Sequence, residues 1–274
     1  MPFQVLSLGA GVQSSTMALM AAHGDITPMP DCAIFADTMD EPSYVYEWLD
    51  WLETKLPFPV YKVVQGEGLS KAVLKVRLSK KGINYTNGNI PVFVKKQSGK
   101  LRGMLSRQCT FQYKIVPIRR KIRELLGSTG RRSLYPDSVR MWIGISTDES
   151  IRMKPSGVLY ITNTWPLIEY NISRDYCLKW MEDNNYPIPK RSSCIFCPFH
   201  NDNDWKIMKE EDPTSFARAV QFEKDYDKSL SQTKLGGIGY FLHDSCVPLG
   251  EIDFNKSSKQ PDLFNNECEG MCGL

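Results

Sequence analysis

The stretch SSCIFCPFH, Ser192 to His200, carries Cys194 and Cys197 in a C-x-x-C spacing, with His200 three residues beyond the second thiol. Two cysteines so spaced on a turn can share a soft metal ion or cluster, or close as a redox disulfide. The surrounding residues offer no thioredoxin-like context for the disulfide. The chain has eight cysteines, a number that in a reducing compartment fits metal or redox chemistry better than a disulfide framework. Cys32 and Cys177 fall in apolar stretches and read as small core residues. Cys246 gives no clear sign. Cys268 and Cys272 belong to the tail NNECEGMCGL, where little apolar material would anchor them. An exposed thiol there could swing into a crevice as a nucleophile, with the other resolving it; a metal pair and a disordered tail are the alternatives.

A second constellation is SLGAGVQSS, Ser7 to Ser15, lying between the apolar run Phe3–Leu6 and a helix-like run. A strand ending in a Gly-rich turn that starts a helix aims several backbone N–H groups and the positive end of the helix dipole at one spot, which suits an anion. Gly9 and Gly11 would let a phosphate approach the backbone, and the hydroxyls of Ser14 and Ser15 would add donors. The turn lacks the Lys of a Walker loop and the third Gly of a Rossmann fingerprint, so a plain strand-to-helix turn with glycines for packing is the competing reading. The second apolar run ends in FADTMDEP, Phe35 to Pro42. If the two strands are parallel neighbours, Asp37 and Thr38 reach the same crevice.

These residues can act only on a scaffold that gathers them. With 274 residues, 42% hydrophobic and 24% charged, the chain can bury one large core, or a core with a subdomain. Runs rich in Val, Ile and Phe at 3–8, 32–37, 60–64 and 141–145 alternate with helical patterns at 13–23, 44–55, 115–126 and 173–184. That alternation predicts an α/β fold, an open and mostly parallel twisted sheet with helices on both faces. Residues 78–108 read as a long basic excursion around the short run IPVFV. Helical patterns at 202–210 and 213–230, a Gly-Gly turn, a hairpin-like segment and a flexible tail follow. The expected division is 1–200 for the nucleotide-binding part and 201–274 for a helical C-terminal region. No stretch approaches the roughly 18 apolar residues of a membrane span, and no basic-then-apolar leader opens the chain, so a cytoplasmic location without membrane contact is expected. Net charge is +3, yet from Lys71 to Arg132 seventeen Lys and Arg face one acidic residue, Glu124. Such a segment attracts an anionic partner, a nucleotide or a nucleic-acid backbone, unless it is simply a solvated face.

At this point the sequence resembles the phosphoadenosine phosphosulfate (PAPS) reductase-like branch of the adenine-nucleotide α-hydrolase, or PP-loop ATP pyrophosphatase, superfamily. GAGVQSS is similar to the S-G-G-x-D-S pyrophosphate loop, with Gly9 for the first Ser and Gln13 for the Asp, and FADTMDEP is similar to the D-T-G-x-x-x-P stretch. RQCTFQYKIVPIRRKI resembles C-C-x-x-x-K-x-x-P-L, with Cys109, Lys114 and Pro117 at family positions and Thr110 in place of the second cysteine. GISTDESIRMKPS keeps Ser150 and Arg152 of a G-x-R-x-x-x-S-x-x-R segment but has Ser146 at the first basic position, and ECEGMCGL is similar to the E-C-G-x-H tail.

The resemblance implies an adenine-nucleotide α-hydrolase-like fold. It also implies an adenine nucleotide (ATP, APS or PAPS), with Mg2+ in the ATP case, held by Gly9, Ala10, Gly11, Gln13, Ser14, Ser15, Asp37, Thr38 and Lys114. Cys109, about 85 residues before the C-x-x-C pair, would join Cys194 and Cys197 around an iron-sulfur cluster of the 4Fe-4S type with one iron lacking a Cys ligand. The alternatives are a Cys3His zinc site with His200 as fourth donor, and buried thiols that hold no metal. Cys272, Cys268 and Arg152 would be the catalytic group, and a thiol reductant a partner. Two activities follow: reduction of an adenylyl phosphosulfate by attack of Cys272, or ATP-dependent adenylation of an acceptor, tRNA or DNA among them, for sulfur transfer. A nucleotide-sensing module without catalysis is a third reading. Arg119 and Arg120 are further candidates for phosphate contact, and Lys95, Lys96, Lys100, Arg102 and Arg107 for a polyanion.

Overall fold

A strand buried on both faces must be apolar nearly throughout, and β1 (Phe3–Leu8) meets that need with Val5, Leu6 and Leu8 almost fully buried. It opens a computed structural model that describes residues 1–86, 90–96, 102–128, 133–233 and 238–255. The tail thiols Cys268 and Cys272, and Lys100, lie outside the described residues. In chain order follow α1 (Val12–His23), β2 (Cys32–Asp37), α2 (Ser43–Glu53), β3 (Val60–Val64), α3 (Leu69–Leu74), the hairpin β4 (Val76–Leu78) and β5 (Asn84–Thr86), β6 (Phe93–Lys96) and β7 (Arg102–Met104). A π-helical turn (Thr110–Ile115) then runs into α4 (Val116–Leu125), followed by β8 (Val139–Ile143), a 3-10 turn (Thr147–Arg152), β9 (Ile161–Thr164), α5 (Pro166–Glu169), α6 (Arg174–Asp183), α7 (Asp202–Glu211), α8 (Pro213–Ser231) and β10 (Ile238–Phe241).

The main sheet has the order β3-β2-β1-β8-β9 with every pair parallel. The chain winds outward from β1 through β2 to β3 and returns to the other side of β1 at β8. The carboxyl ends of β1 and β8 therefore flank a topological switch point, where open α/β sheets form their crevice. On one face, α1, α2 and α6 cover Leu6, Leu8, Ala33, Phe35 and Trp142. On the other, α4 packs Ile118 and Ile122 against Val5, Ile34, Met141 and Ile143. Helix α1 is buried from Val12 to Ala21 on all sides, because the sheet takes one flank and α6 another.

A second body has its own core, in which Trp205, Phe222 and Tyr226 of α7 and α8 meet Leu69, Ile90, Val92, Tyr113 and Phe196. Both helices start where side chains satisfy their first amides. Asn201 and Asp204 form a reciprocal capping box, and Asp212 accepts from the Ser215 amide just before Pro213. This core joins the excursion to the C-terminal helices. The excursion itself, entered through β4, carries β5 to β7, and β6 sits between β10 and β7 in a three-stranded antiparallel sheet. Strand β8 starts two residues earlier than the apolar run suggested, since Val139 is already paired with Phe3 and fully buried. Among the described residues no helix is long and apolar enough to cross a membrane.

Candidate functional site

The turn after β1 is held tightly. Ala10 adopts φ 59, a left-handed conformation that costs a Cβ-bearing residue about 1 kcal/mol or more. Gly11 caps α1 in extended conformation without a side-chain cap. As the first amides of the helix, those of Val12, Gln13 and Ser14 have no i−4 carbonyl to bond. The side chains are committed elsewhere. Ser14 Oγ accepts from the Gly9 amide at 3.2 Å and donates to Gly11 O at 3.4 Å. Ser15 Oγ accepts from Trp48 Nε1 at 3.0 Å. Gln13 Oε1 accepts from Arg174 Nη1 at 2.6 Å. The two hydroxyls expected to add donors to the crevice thus fasten the turn from within, and the backbone is left as its donor surface. Gly144, just past β8, packs on the same turn: a Cβ there would lie 2.9 Å from Ser14 N and 3.0 Å from its Cα.

Asp37 ends β2, and its Oδ1 accepts from the Met39 amide at 2.6 Å and from Tyr46 OH at 2.9 Å. Thr38 turns toward the cysteines. Its Oγ1 lies 3.2 Å from Cys194 Sγ and donates to Glu41 Oε1 at 3.2 Å. Cys109, Cys194 and Cys197 all line one cavity, together with Thr38, Arg107 and Lys114. Three separate pieces of chain supply them: the end of β2, the π-helical turn and the C-x-x-C turn. The last is closed by the Cys197 amide on Cys194 O and pinned to the end of β2 by the Ile195 amide on Asp40 O, at 2.9 and 2.8 Å. Arg191 ties it further, donating to Phe199 O and pairing with Asp204.

The π-helical turn has a cause in the sequence. Pro117 has no N–H to give to Tyr113 O, and its ring crowds that carbonyl, so an α-helical register cannot pass through it. The chain widens instead, with the Val116 amide on Phe111 O, a five-residue step. Lys114 lies in this turn, buried, with Nζ 3.9 Å from Glu41 Oε1. Glu41 is buried as well, and the Cys194 thiol donates toward the same Oε1 at 3.7 Å. One carboxylate oxygen therefore gathers a threonine, a thiol and an ammonium. The sequence reading passed over Glu41, although its place beside Thr38 and directly before the Pro42 that caps α2 could have drawn notice.

Two other candidates stand apart. His200 does not line the cavity: its Nε2 meets Ser193 Oγ at 2.5 Å and its ring sits edge-on to Trp205. Burial holds its pKa down to about 3, with the Arg191 guanidinium adding to the effect, so the imidazole is neutral. Arg152 pairs with Glu149 at 2.8 Å, where the carboxylate is 3% exposed. Burial pushes Glu149 upward against the pull of Arg152 and Arg174. Ser146, fully buried, donates to Asp148 at 3.0 Å, and Asp148 in turn accepts from the first amide of α6. Arg119 donates to Ser156 O and Arg120 to Gln65 Oε1. Among the described residues no three His, Cys, Asp or Glu side chains are already spaced to hold a single metal ion.

No family model and no curated protein matches this chain. Among solved structures it is similar to a crystal structure of a phosphoadenylyl-sulfate (PAPS) reductase from Candida auris in complex with phosphate, at 14% sequence identity and a TM-score of 0.42. The match covers 69% of this chain and 76% of that one.

Proposed function

We propose that the chain is an adenine-nucleotide-binding enzyme of sulfur chemistry, with its nucleotide over the turn after β1 and an iron-sulfur cluster held by Cys109, Cys194 and Cys197. The observation that carries this reading is the convergence of those three thiols, drawn from positions 85 residues apart, on one cavity beside the end of β2. The donor set fits the group. Three soft thiolates suit iron, and each can take its own iron in a cluster. A lone zinc ion with bonds of about 2.3 Å would need its donors drawn together, and His200, whose Nδ1 is unpartnered, lies outside the cavity lining. Bound there, a cluster would supply an iron without a cysteine ligand, able to hold or polarise a sulfur species. The chain's own part is electrostatic and positional. The amides of Val12, Gln13 and Ser14 face anionic oxygen, Lys114 and Arg107 bring positive charge to the cavity, and Glu41 fixes Lys114.

Two reactions fit this site. In the first, the Cys272 thiolate attacks the sulfur of an adenylyl phosphosulfate, adenosine phosphate leaves, and a reductant thiol releases sulfite while a disulfide forms. In the second, an acceptor oxygen attacks the α-phosphorus of ATP with loss of pyrophosphate, and a sulfur nucleophile then displaces AMP; Mg2+ would supply positive charge for the leaving phosphates. The burial of Ser146, where the resemblance expected a basic group, favours the second, because no cation is supplied there for the sulfonate. Oxygen-free purification with iron, sulfide and zinc counts, followed by assays of ATP to AMP plus pyrophosphate and of phosphosulfate to sulfite, tests both. Iron with pyrophosphate formation supports sulfur transfer, and sulfite formation lost in Cys272→Ser supports reduction. Zinc in place of iron, with neither product formed, overturns the proposal.

A further inference from the structure

The outer face of the three-stranded sheet β10-β6-β7 has no role in the reading above. Val94 and Tyr240 pair across β6 and β10 and point into the second core, so their neighbours along each strand point away from it. Those neighbours stand in two cross-strand rows: Phe241, Phe93 and Met104, then Gly239 and Lys95. Phe93 and Phe241 are half-buried and join none of the hydrophobic clusters, while Met104 is 37% exposed. Phe241 leans across Gly239, where a Cβ would come within 2.9 Å of its ring. A ring laid over a glycine stays low on the sheet and turns a π face outward. Two phenyl rings thus lie on adjacent strands, beside a lysine.

Lys95 is a cation on this face, and the Asp227 carboxylate borders its β10 edge, accepting from the Tyr240 amide. Lys95 follows Phe93 on this face, Lys96 belongs to the opposite face of β6 with Val94, and Lys80 and Lys81 are exposed on the turn of the β4–β5 hairpin, which Asn84 ties to Gln232 at the end of α8. Among the described residues none of these four lysines stands in an ion pair. Aromatic faces on a sheet flanked by unpaired cations match the repeating chemistry of a single-stranded polynucleotide, whose bases stack while its phosphates are neutralised. A duplex would keep its bases stacked on one another. We infer that the outer face of β10-β6-β7 is a stacking platform for a single-stranded polynucleotide. The platform also leads to the cavity: the Leu105 amide continues the β6–β7 pairing onto Val92 O, and Pro91 and Arg107 line the cavity wall. If the sulfur-transfer reading holds, a strand lying here brings its end toward the cysteines. The binding claim itself does not need that reading.

The test is fluorescence anisotropy on the full-length protein with labelled oligo(U), oligo(dT) and a duplex of equal length, across a salt series and without nucleotide. Binding to a single strand tighter than to the duplex is expected, and the RNA and DNA arms identify which sugar is preferred. Phe93→Ala and Phe241→Ala should each weaken binding about tenfold, the order of one lost base stack. Lys95→Ala should lower the log–log salt slope by about 0.7. Since a phenylalanine replacement could disturb the sheet, Lys95→Glu on a strand surface serves as an independent probe and should weaken binding with the circular dichroism spectrum unchanged. Absence of single-strand binding at low salt overturns the inference. So does equal binding to duplex that none of these substitutions alters.

Discussion

Replacing Gly144 by alanine should destabilise the protein through a single backbone contact. The added Cβ would sit 2.9 Å from Ser14 N, 3.0 Å from Ser14 Cα and 3.1 Å from Ser14 Cβ, all closer than the roughly 3.5 Å of an optimal nonbonded contact. Two of those atoms are backbone at the first turn of α1, so no side-chain rotation relieves them. Either β8 or α1 must move by about half an ångström. Overpacking of this kind typically costs about 1–3 kcal/mol, and the loss of glycine's freedom in the unfolded chain returns about 0.4–1. A net loss of about 1.5 kcal/mol is expected. With a urea m-value near 3 kcal/mol per M, that corresponds to a midpoint lower by about 0.5 M. Gly103→Ala is the control, since its Cβ would meet Val94 Cγ2 at an ordinary 3.6 Å and should leave the midpoint within about 0.2 M. The displaced Ser14 amide belongs to the proposed anion-binding turn, so adenine-nucleotide affinity should fall alongside stability. A Gly144→Ala protein with wild-type midpoint and slope would refute the close approach of β8 to α1, and with it the geometry of the crevice.

Two further outcomes are expected. Arg152→Ala leaves the buried Glu149 carboxylate without its 2.8 Å partner and should cost about 3 kcal/mol of stability, most of it recovered by combining Glu149→Gln with Arg152→Met; a merely catalytic Arg152 would leave the urea midpoint unchanged. For His200, the native pKa of about 3 lies below the usual 6.5, so between those values the unfolded chain binds a proton that the folded one refuses, and stability falls as pH falls through that window. From pH 7 to pH 5 this group alone should remove about 2 kcal/mol. His200→Gln should flatten that dependence in denaturation curves taken at both pH values, and an unflattened curve would assign the acid sensitivity elsewhere.

The parts of the fold that run on simple periodicity were legible beforehand. β1, β2 and β3 begin and end where the apolar runs do, and Pro213 opens α8 as its missing N–H allows. Legibility failed where local composition carries no period. β9 reads ITNT, an edge strand with half-buried polar residues, and α3 is six residues long, too short to show a helical face. Within the candidate site, residue types were readable and partners were not. Ser14, Ser15 and Gln13 look like ligand donors in a string of letters. Only the fold brings Trp48 and Arg174, from α2 and α6, to occupy the Ser15 hydroxyl and the Gln13 amide.

The meeting of Cys109 with Lys114 shows why spacing alone was a weak guide. Five positions along an α-helix amount to a rotation of about 140° from the starting direction, so a helical reading of this segment sends the thiol and the ammonium to different sides. The five-residue step that Pro117 imposes turns the chain less per residue and brings positions five apart nearer to one side. Both groups then line the same cavity. Lys114 is only 8% exposed, and Glu41 faces it from the other wall at 3.9 Å; the same carboxylate oxygen reaches Thr38 and the Cys194 thiol. A proline in one segment and a glutamate in another thus position the cavity's cation, though neither residue type is the kind that a search for reactive groups selects.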